Sequence, residues 1–178
     1  AHPLGIGQGG LILFGTGKFI EAPDADPLTT PEQSFYAIWD RDLSMAVTDT
    51  SHGFSRGDLA EVEFTTTGSQ RFFNDTTSYV VEWLDGSNAP KDRGWFVDLP
   101  TQGERIIRPA LVRNGVVFFV SLIPSDQPCI PGGTGFLMAL DTATGGVPTP
   151  EQLGSPTVFD TNGDGVFDEF DNPGDEVV

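Results

Sequence analysis

The sequence contains few of the residues that enzymes most often use for covalent catalysis. It has one cysteine, Cys129, and two histidines, His2 and His52. A single cysteine excludes a disulfide within the chain, and no basic residue stands beside Cys129 to favour a reactive thiolate. No Ser–His–Asp order can be argued from one internal histidine. These absences argue against catalysis by a cysteine or serine nucleophile.

Positive charge is also scarce. Nine Lys and Arg stand against 26 Asp and Glu, which gives a formal net charge of −17, and Lys18 and Lys91 are the only lysines. Such a surface repels nucleic acid and anionic membranes, and it suits divalent cations or a salty medium. A solvated acidic surface with no ligand is the alternative. We therefore expect no nucleic-acid partner.

Long apolar runs are missing as well. The longest run, residues 116–123 (VVFFVSLI), is far shorter than the roughly 20 residues that a membrane helix requires. It lies between Gly115 and Pro124, which is typical of a buried central strand. We expect no membrane insertion.

Segments with helical periodicity are absent, and strand signals dominate. The chain has 22 Gly and 14 Pro, as expected for strands joined by many turns. Residues 60–67 (AEVEFTTT) alternate between the two faces of a predicted strand, and residues 113–115 (RNG) predict a hairpin turn. The sequence therefore predicts an all-β fold.

A weak internal repeat supports a more specific architecture. GLILFGTGKF followed by SFYAIWDRDLS, and GVVFFVSLIP followed by GTGFLMALDTATG, each give an apolar strand, a loop, and a strand that ends in Asp. Repeated units of this kind are typical of propeller blades. At about 40–45 residues a blade, the chain holds at most four blades. Residues 1–178 are thus predicted to be part of one modified β-propeller domain with several antiparallel blades.

The strongest functional signal is DTNGDGVFDEFD, residues 160–171. Oxygen-bearing side chains occupy positions 1, 3, 5, 9 and 12, and Gly165 at position 6 permits the turn that brings a backbone carbonyl inward. Prolines on both sides exclude the helices of an EF-hand. An acidic turn with no ion is the alternative. The predicted calcium ligands are Asp160, Asn162, Asp164, Val166 (through its carbonyl), Asp168 and Asp171.

Three other motifs carry less weight. GIGQGG precedes a strand, whereas a dinucleotide fingerprint follows one, and GTGK lacks the first glycine and the Ser or Thr of a phosphate loop. Arg56-Gly57-Asp58 matches the integrin-binding tripeptide, but such tripeptides are common by chance, and Asp58 is as readily a cap at a strand entrance. Asn74-Asp75-Thr76 is a glycosylation sequon only in a secreted protein of a suitable host.

The order of motifs resembles the C-terminal β-propeller of the type IV pilus biogenesis and tip-adhesin family, the PilY-type proteins, also called PilC. The most specific blocks are GWFVDLP with GER, and PCIPGGTGFLMALD. The better-known calcium loop of the family is followed by a strand of the form AGDxxGNxW, which this chain lacks, so residues 160–171 are a second, more C-terminal loop. The family carries an Arg-x-Asp-Leu run where Arg56-Gly57-Asp58 stands, which favours a structural role for the tripeptide.

The resemblance implies a non-enzymatic extracellular protein at the pilus tip or outer membrane that supports pilus assembly or extension and surface adhesion. Its implied partners are pilus subunits (minor pilins) and host or abiotic surfaces. Two alternatives stay open. One is part of a quinoprotein propeller dehydrogenase that holds pyrroloquinoline quinone, against which we count the absence of a docking tryptophan after ALDTATGGVP. The other is a calcium-stabilised extracellular scaffold unrelated to pili.

Overall fold

A computed structural model describes most of the chain. The described residues are 9–26, 28, 31–41, 53–68, 70–73, 81–125 and 132–153. The predicted calcium loop, Cys129, both histidines and the Asn74 sequon lie outside these residues, so what the sequence indicates about them stays a prediction.

The first sheet has four strands. β1 (Gly10–Gly15) pairs antiparallel with β2 (Ser34–Asp40), and β2 pairs antiparallel with β6 (Gly94–Asp98). β3 (Ala60–Val62) forms the opposite edge and runs parallel to β6, so the strand order is β1-β2-β6-β3. The inner strand β6 is buried on both faces from Gly94 to Val97.

The second sheet has three strands in the order β11-β8-β7, all antiparallel. The turn between β7 and β8 is formed by Asn114 and Gly115, whose φ angles are 50° and 78°. Two positive φ angles in a two-residue loop are the requirement of a type I′ hairpin. The hairpin predicted from RNG is therefore confirmed. The strands are β7 (Leu111–Arg113), β8 (Val116–Val120) and β11 (Leu137–Asp141).

Two small two-stranded sheets complete the β structure of the described residues. β4 (Phe64–Thr67) pairs with β5 (Gln70–Phe73), and β9 (Ile123–Pro124) pairs with β10 (Gly133–Thr134), both antiparallel. A single-turn helix, α1 (Pro150–Leu153), follows β11. None of the helices in the described part of the chain has the length and apolar character needed to span a bilayer.

The two larger sheets share one hydrophobic core. The rings of Phe35 on β2 and Phe119 on β8 are stacked, with centroids 4.1 Å apart. Trp95 and Val97 of β6 are fully buried in the same cluster. Because the cluster is continuous, the sheets pack as one unit. Its other members include Ala37, Val62, Leu99, Val117, Met138 and Leu140.

The internal repeat is confirmed by the strand pairing. β1 pairs with β2 and β8 pairs with β11, and in both pairs the terminal aspartate lies opposite the first residue of the earlier strand: Asp40 opposite Gly10, and Asp141 opposite Val116. The described residues are mostly β, as predicted. They form four separate sheets and no closed ring of blades.

Two predicted strands are wrong in extent. Residues 60–67 are interrupted at Glu63, because Val62 joins the first sheet through β6 whereas Phe64 begins a separate hairpin. Residues 116–123 are also two strands, because β8 ends at Val120, which is half exposed, and Ile123 pairs with β10. Apolar alternation predicts a strand but does not locate the point where the chain changes sheets.

Candidate functional sites

The Arg56-Gly57-Asp58 tripeptide forms a single 3-10 turn immediately before β3. The Asp58 carboxylate accepts hydrogen bonds from the backbone N–H of Ser55 at 2.7 Å and from its hydroxyl at 2.9 Å. Chiefly through the backbone bond, these contacts lower the pKa of Asp58. The carboxylate therefore closes the turn that opens β3, as predicted for a cap at a strand entrance.

Arg56 lies on the outer face of the first sheet. Its guanidinium carbon is 3.8 Å from the ring centroid of Phe96, a cation–π geometry. One guanidinium nitrogen donates to the Tyr36 hydroxyl at 2.9 Å, and the other forms an ion pair with Asp98. Asp98 also accepts a hydrogen bond from the Ser34 hydroxyl. Arg56 thus connects the turn before β3 to both β2 and β6.

Both charged side chains of the tripeptide are held by contacts within the chain. A receptor that reads this tripeptide would have to displace the hydrogen bonds of Asp58, the ion pair of Arg56, or both. The arrangement supports the structural interpretation of the tripeptide over a receptor-binding role.

The segment that leads to the predicted calcium loop is anchored at the end of β11. One carboxylate oxygen of Asp141 accepts hydrogen bonds from the backbone N–H groups of Ala143 at 2.9 Å and Thr144 at 2.7 Å. Its other oxygen accepts from the Gln152 side chain, and the Gln152 carbonyl accepts from the Asn114 side chain at 2.7 Å. Gln152, eight residues before the predicted loop, is therefore held beside the β7–β8 turn.

The turn after β11 also packs against the first sheet. The indole N–H of Trp95 donates to the carbonyl of Thr142 at 3.0 Å. A Cβ placed on Gly145 would lie 2.7 Å from the Trp95 ring and 2.8 Å from Val62, and Gly145 has a φ of 70°. The turn therefore requires glycine for both its conformation and its contact with the indole.

Sequence reasoning missed the role of Trp95. No tryptophan follows DTATGG in the sequence, but Trp95 of β6, 47 residues before Thr142, contacts this turn. Because no tryptophan comes after the turn, the argument against the quinoprotein alternative stays a prediction. The only local signal was the glycine pair Gly145-Gly146, which permits a close approach without identifying the partner.

A surface depression of about 410 Å³ lies at the end of β1. Asp24 there accepts hydrogen bonds from the backbone N–H groups of Glu21 and Ile20, which, together with the Lys18 ammonium at 3.2 Å, lower its pKa to about 2. Lys18 is therefore paired with acids, which agrees with the rejection of GTGK as a phosphate loop. The depression is lined by Gly17, Lys18, Pro23, Asp24, Pro31, Gln33 and Arg105.

Within the described residues, no group of three or more His, Cys, Asp or Glu side chains could hold a metal ion. The calcium prediction therefore depends on residues 160–171, which lie outside that part of the chain. The donor set there fits calcium, because four aspartates, one asparagine and one carbonyl supply only oxygen, the ligand atom of a hard cation.

Comparison with known proteins identifies several relatives, although no protein-family model matches the chain. The type IV pilus biogenesis factor PilY1 of Pseudomonas aeruginosa strain PAK is 29% identical over 171 residues, covering 90% of this chain and 14% of the relative. A PilY1 homolog of Xylella fastidiosa is 29% identical over 149 residues, covering 80% of this chain and 9% of the homolog. The chain thus spans a small part of the length of the curated relatives it matches.

A solved structure shows the same relationship. The crystal structure of the Pseudomonas aeruginosa PilY1 C-terminal domain superimposes with a TM-score of 0.71 at 27% identity, covering 94% of this chain and 33% of that domain. The sequence and structure matches together confirm the resemblance predicted from the motifs.

Proposed function

We propose that this chain, which is homologous to the C-terminal domain of PilY1-type proteins, is part of a type IV pilus biogenesis factor. The observation that supports the proposal most directly is the match over 94% of the chain to the PilY1 C-terminal domain, at a TM-score of 0.71 and 27% identity. Since sequence and fold agree over the same residues, the likeness is more than a shared architecture.

Domain exchange in Pseudomonas aeruginosa tests this proposal. The segment of PilY1 that matches the chain is replaced by residues 1–178, and surface pili and twitching are measured. We expect the chimera to restore a substantial part of both in a strain without PilY1. A chimera carrying Trp95→Ala, which removes the contact with the Thr142 turn, serves as a matched control and should restore less. A chimera that is exported at normal levels but gives no pili would contradict the proposal.

The sheets are proposed to be blades of a modified propeller. Two sheets of three and four strands that share a core, each built on one copy of the repeat, are compatible with neighbouring blades. The contact of Trp95 with the turn after β11 would then be a junction between blades.

Calcium binding at residues 160–171 is the second part of the proposed function. Asp160, Asn162, Asp164, Asp168 and Asp171 supply side-chain oxygens, and Val166 supplies its carbonyl. The bound ion would neutralise aspartates that otherwise repel one another, and part of its binding energy would order a segment with few apolar residues. The dissociation constant is expected at about 10⁻⁴ to 10⁻⁶ M, as for sensor and extracellular loops.

Calorimetry of the whole chain tests the calcium site. Asp164→Ala should abolish the heat of calcium binding, and Asp175→Ala, an acidic residue of the same segment outside the loop, should not. No heat from the unmodified chain at millimolar calcium would contradict the proposal, as would equal heats from the two variants.

Adhesion and location are proposed from the same homology. The protein would act at the cell surface, at the pilus tip or outer membrane, with pilus subunits and host or abiotic surfaces as partners. The net charge of −17 favours cationic surfaces or surfaces bridged by divalent ions. Attachment of the chimera strain to glass with and without calcium would separate adhesion from assembly, provided pilus number is counted in the same cells.

A second candidate function is a quinone-dependent dehydrogenase. The resemblance of FLMALDTATGG to the repeat of quinoprotein propellers favours it, although the docking tryptophan expected after the turn is absent. We nevertheless propose a non-enzymatic role, because the relatives are named as pilus biogenesis factors. Incubation with pyrroloquinoline quinone and calcium should leave no bound absorbance band and no dye reduction with an alcohol; either signal would favour the enzyme.

A further inference from the structure

We propose that residues 157–159 of the acidic C-terminal segment add to the free edge of β7 as the fourth strand of the second sheet. This inference goes beyond the proposed function and does not depend on it. It rests on the edge that β7 presents, on the charges of the two segments, and on the place where the chain leaves α1.

β7 is an edge strand in the described part of the chain. All three of its residues are exposed, with Leu111 at 65% and Val112 at 51%. In a two-residue hairpin the residues next to the turn, here Arg113 and Val116, form the hydrogen-bonded pair. The backbone N–H and C=O of Val112 therefore point away from β8, toward the open edge. An exposed apolar edge of this kind is a template for another strand.

The two segments have opposite charge. Residues 105–125 contain no acidic residue, and two of their arginines are exposed: Arg108, three residues before β7, and Arg113, its last residue. Residues 154–178 contain seven acidic residues and no lysine or arginine. Placing the acidic segment along β7 brings opposite charges together.

The chain leaves α1 next to this edge. The Asn114 side chain donates to the carbonyl of Gln152, so α1 ends beside the β7–β8 turn. Residues 154–156 can span about 10 Å when extended, and neighbouring strands lie about 4.8 Å apart, so the reach is sufficient. A segment that starts at the turn and follows β7 runs antiparallel to it, as the rest of this sheet does.

The residues that follow this three-residue spacer have high strand propensity. Thr157, Val158 and Phe159 are β-branched or aromatic, and Pro156 stands where a proline is tolerated at the beginning of an edge strand. Pairing would cover part of Leu111 and Val112 and would leave the predicted calcium loop, which begins at Asp160, directly after the new strand.

Hydrogen exchange of the whole chain tests the pairing. Two variants carry the same substitution in the C-terminal segment: Val158→Pro within the proposed strand, and Val177→Pro outside it. The amide of Val112 should exchange up to about tenfold faster in Val158→Pro, the factor expected from loss of a backbone hydrogen bond, and at the unmodified rate in Val177→Pro. Equal exchange of Val112 in both variants and the unmodified chain would overturn the proposal.

Disulfide trapping provides a second readout. In a Cys129→Ser background, Leu111→Cys is combined in turn with Thr157→Cys, Val158→Cys or Phe159→Cys, and one combination should oxidise rapidly within the chain. Thr65→Cys on the exposed β4 hairpin, combined with the same three cysteines, is the matched control and should not. Disulfides only between chains, or Val112 protection that rises with protein concentration, would show instead that a second copy covers β7. The Val158→Pro variant should still bind calcium in calorimetry, which would show that the strand pairing and the calcium site are independent.

Discussion

At the scale of single residues, the two charges of the Arg56-Gly57-Asp58 turn have different tasks. Asp58 closes the turn on Ser55, whereas Arg56 extends across the sheet to Phe96 and Asp98. The contact between Asp58 and Ser55 is local and can be predicted from the sequence. The contacts of Arg56 depend on β2 and β6 lying side by side, and no pattern near Arg56 indicates them.

We predict that Asp58→Ala lowers the melting temperature by a few degrees and changes integrin binding less than stability. The substitution removes both acceptor contacts to Ser55, whereas Glu32→Ala, at another exposed acid, should have almost no effect. Melts and integrin binding are measured on the same proteins. Lost integrin binding with an unchanged melting temperature would instead favour the receptor-binding reading of the tripeptide.

The same side chain predicts a pH dependence. Because the folded-state pKa of Asp58 lies below its usual value of 3.8, its carboxylate stabilises the fold fully above that pH, and the contribution is lost as the pH falls through the lowered pKa. The difference in melting temperature between the unmodified chain and Asp58→Asn should therefore be constant from pH 5 to 7 and shrink at lower pH. A difference that grows on acidification would contradict this assignment.

At the scale of elements, the contacts between sheets are made by groups far apart in sequence. The turn after β11 meets Trp95 of β6, and Arg71 of β5 forms a buried ion pair with Glu104. The positions of β1, β2, β8 and β11 could be predicted because apolar runs and glycines are local signals. The indole that faces Gly145 and the acid that faces Arg71 could not, because strand order is set by packing between distant segments.

We predict that Gly145→Ala destabilises the fold by about 1–3 kcal/mol more than Gly68→Ala. Both glycines have positive φ angles, 70° and 63°, but a Cβ at Gly145 meets the Trp95 ring, whereas nothing lies within 4 Å of a Cβ at Gly68. Denaturant melts give the two stabilities, and tryptophan fluorescence should change in Gly145→Ala alone. Equal losses of stability in the two variants would mean that the turn can move away from Trp95 to accommodate the Cβ.

We predict that Arg71→Met costs about 3–5 kcal/mol, because it leaves Glu104 buried without its partner. Both side chains are at most 1% exposed, and Arg71 also lies over the Phe136 ring at 3.9 Å. The double variant Arg71→Met with Glu104→Leu should recover much of the loss. Lys91→Met, which breaks the exposed ion pair with Glu82, should cost no more than about 1 kcal/mol. If the double variant lost as much stability as the two single variants added together, this account would be contradicted.

At the scale of the whole molecule, stability is expected to be divided between two parts. The core strands are buried in a single cluster, whereas residues 156–178 have few apolar side chains and many carboxylates. Ordering such a segment costs roughly 1–2 kcal/mol of backbone entropy per residue, which its own burial can hardly offset. The core should therefore be independent of calcium, and the C-terminal segment should not be.

We predict that chelation of calcium increases hydrogen exchange across residues 160–171 while amides of β2, β6 and β8 keep their protection. In the presence of calcium, residues 160–171 of the Asp164→Ala variant should exchange as fast as those of the unmodified chain in chelator. In the Asp175→Ala variant, calcium should slow the exchange of these residues as it does in the unmodified chain. Equal protection of residues 160–171 with and without chelator would mean that packing alone holds the loop.

The parallel pairing of β3 with β6 has a consequence for how the chain folds. β6 occupies the centre of the first sheet, yet it is the last of the four strands to be synthesised and, in a chain that crosses a membrane N-terminus first, the last to emerge. Until residue 98 arrives, β2 and β3 each have an unpaired edge, and the pairing that covers them spans more than thirty residues of sequence. Such non-local closure is slow and leaves edges open to other chains. The interval before β6 docks is therefore when nascent chains of this protein are most prone to aggregate and most in need of a chaperone.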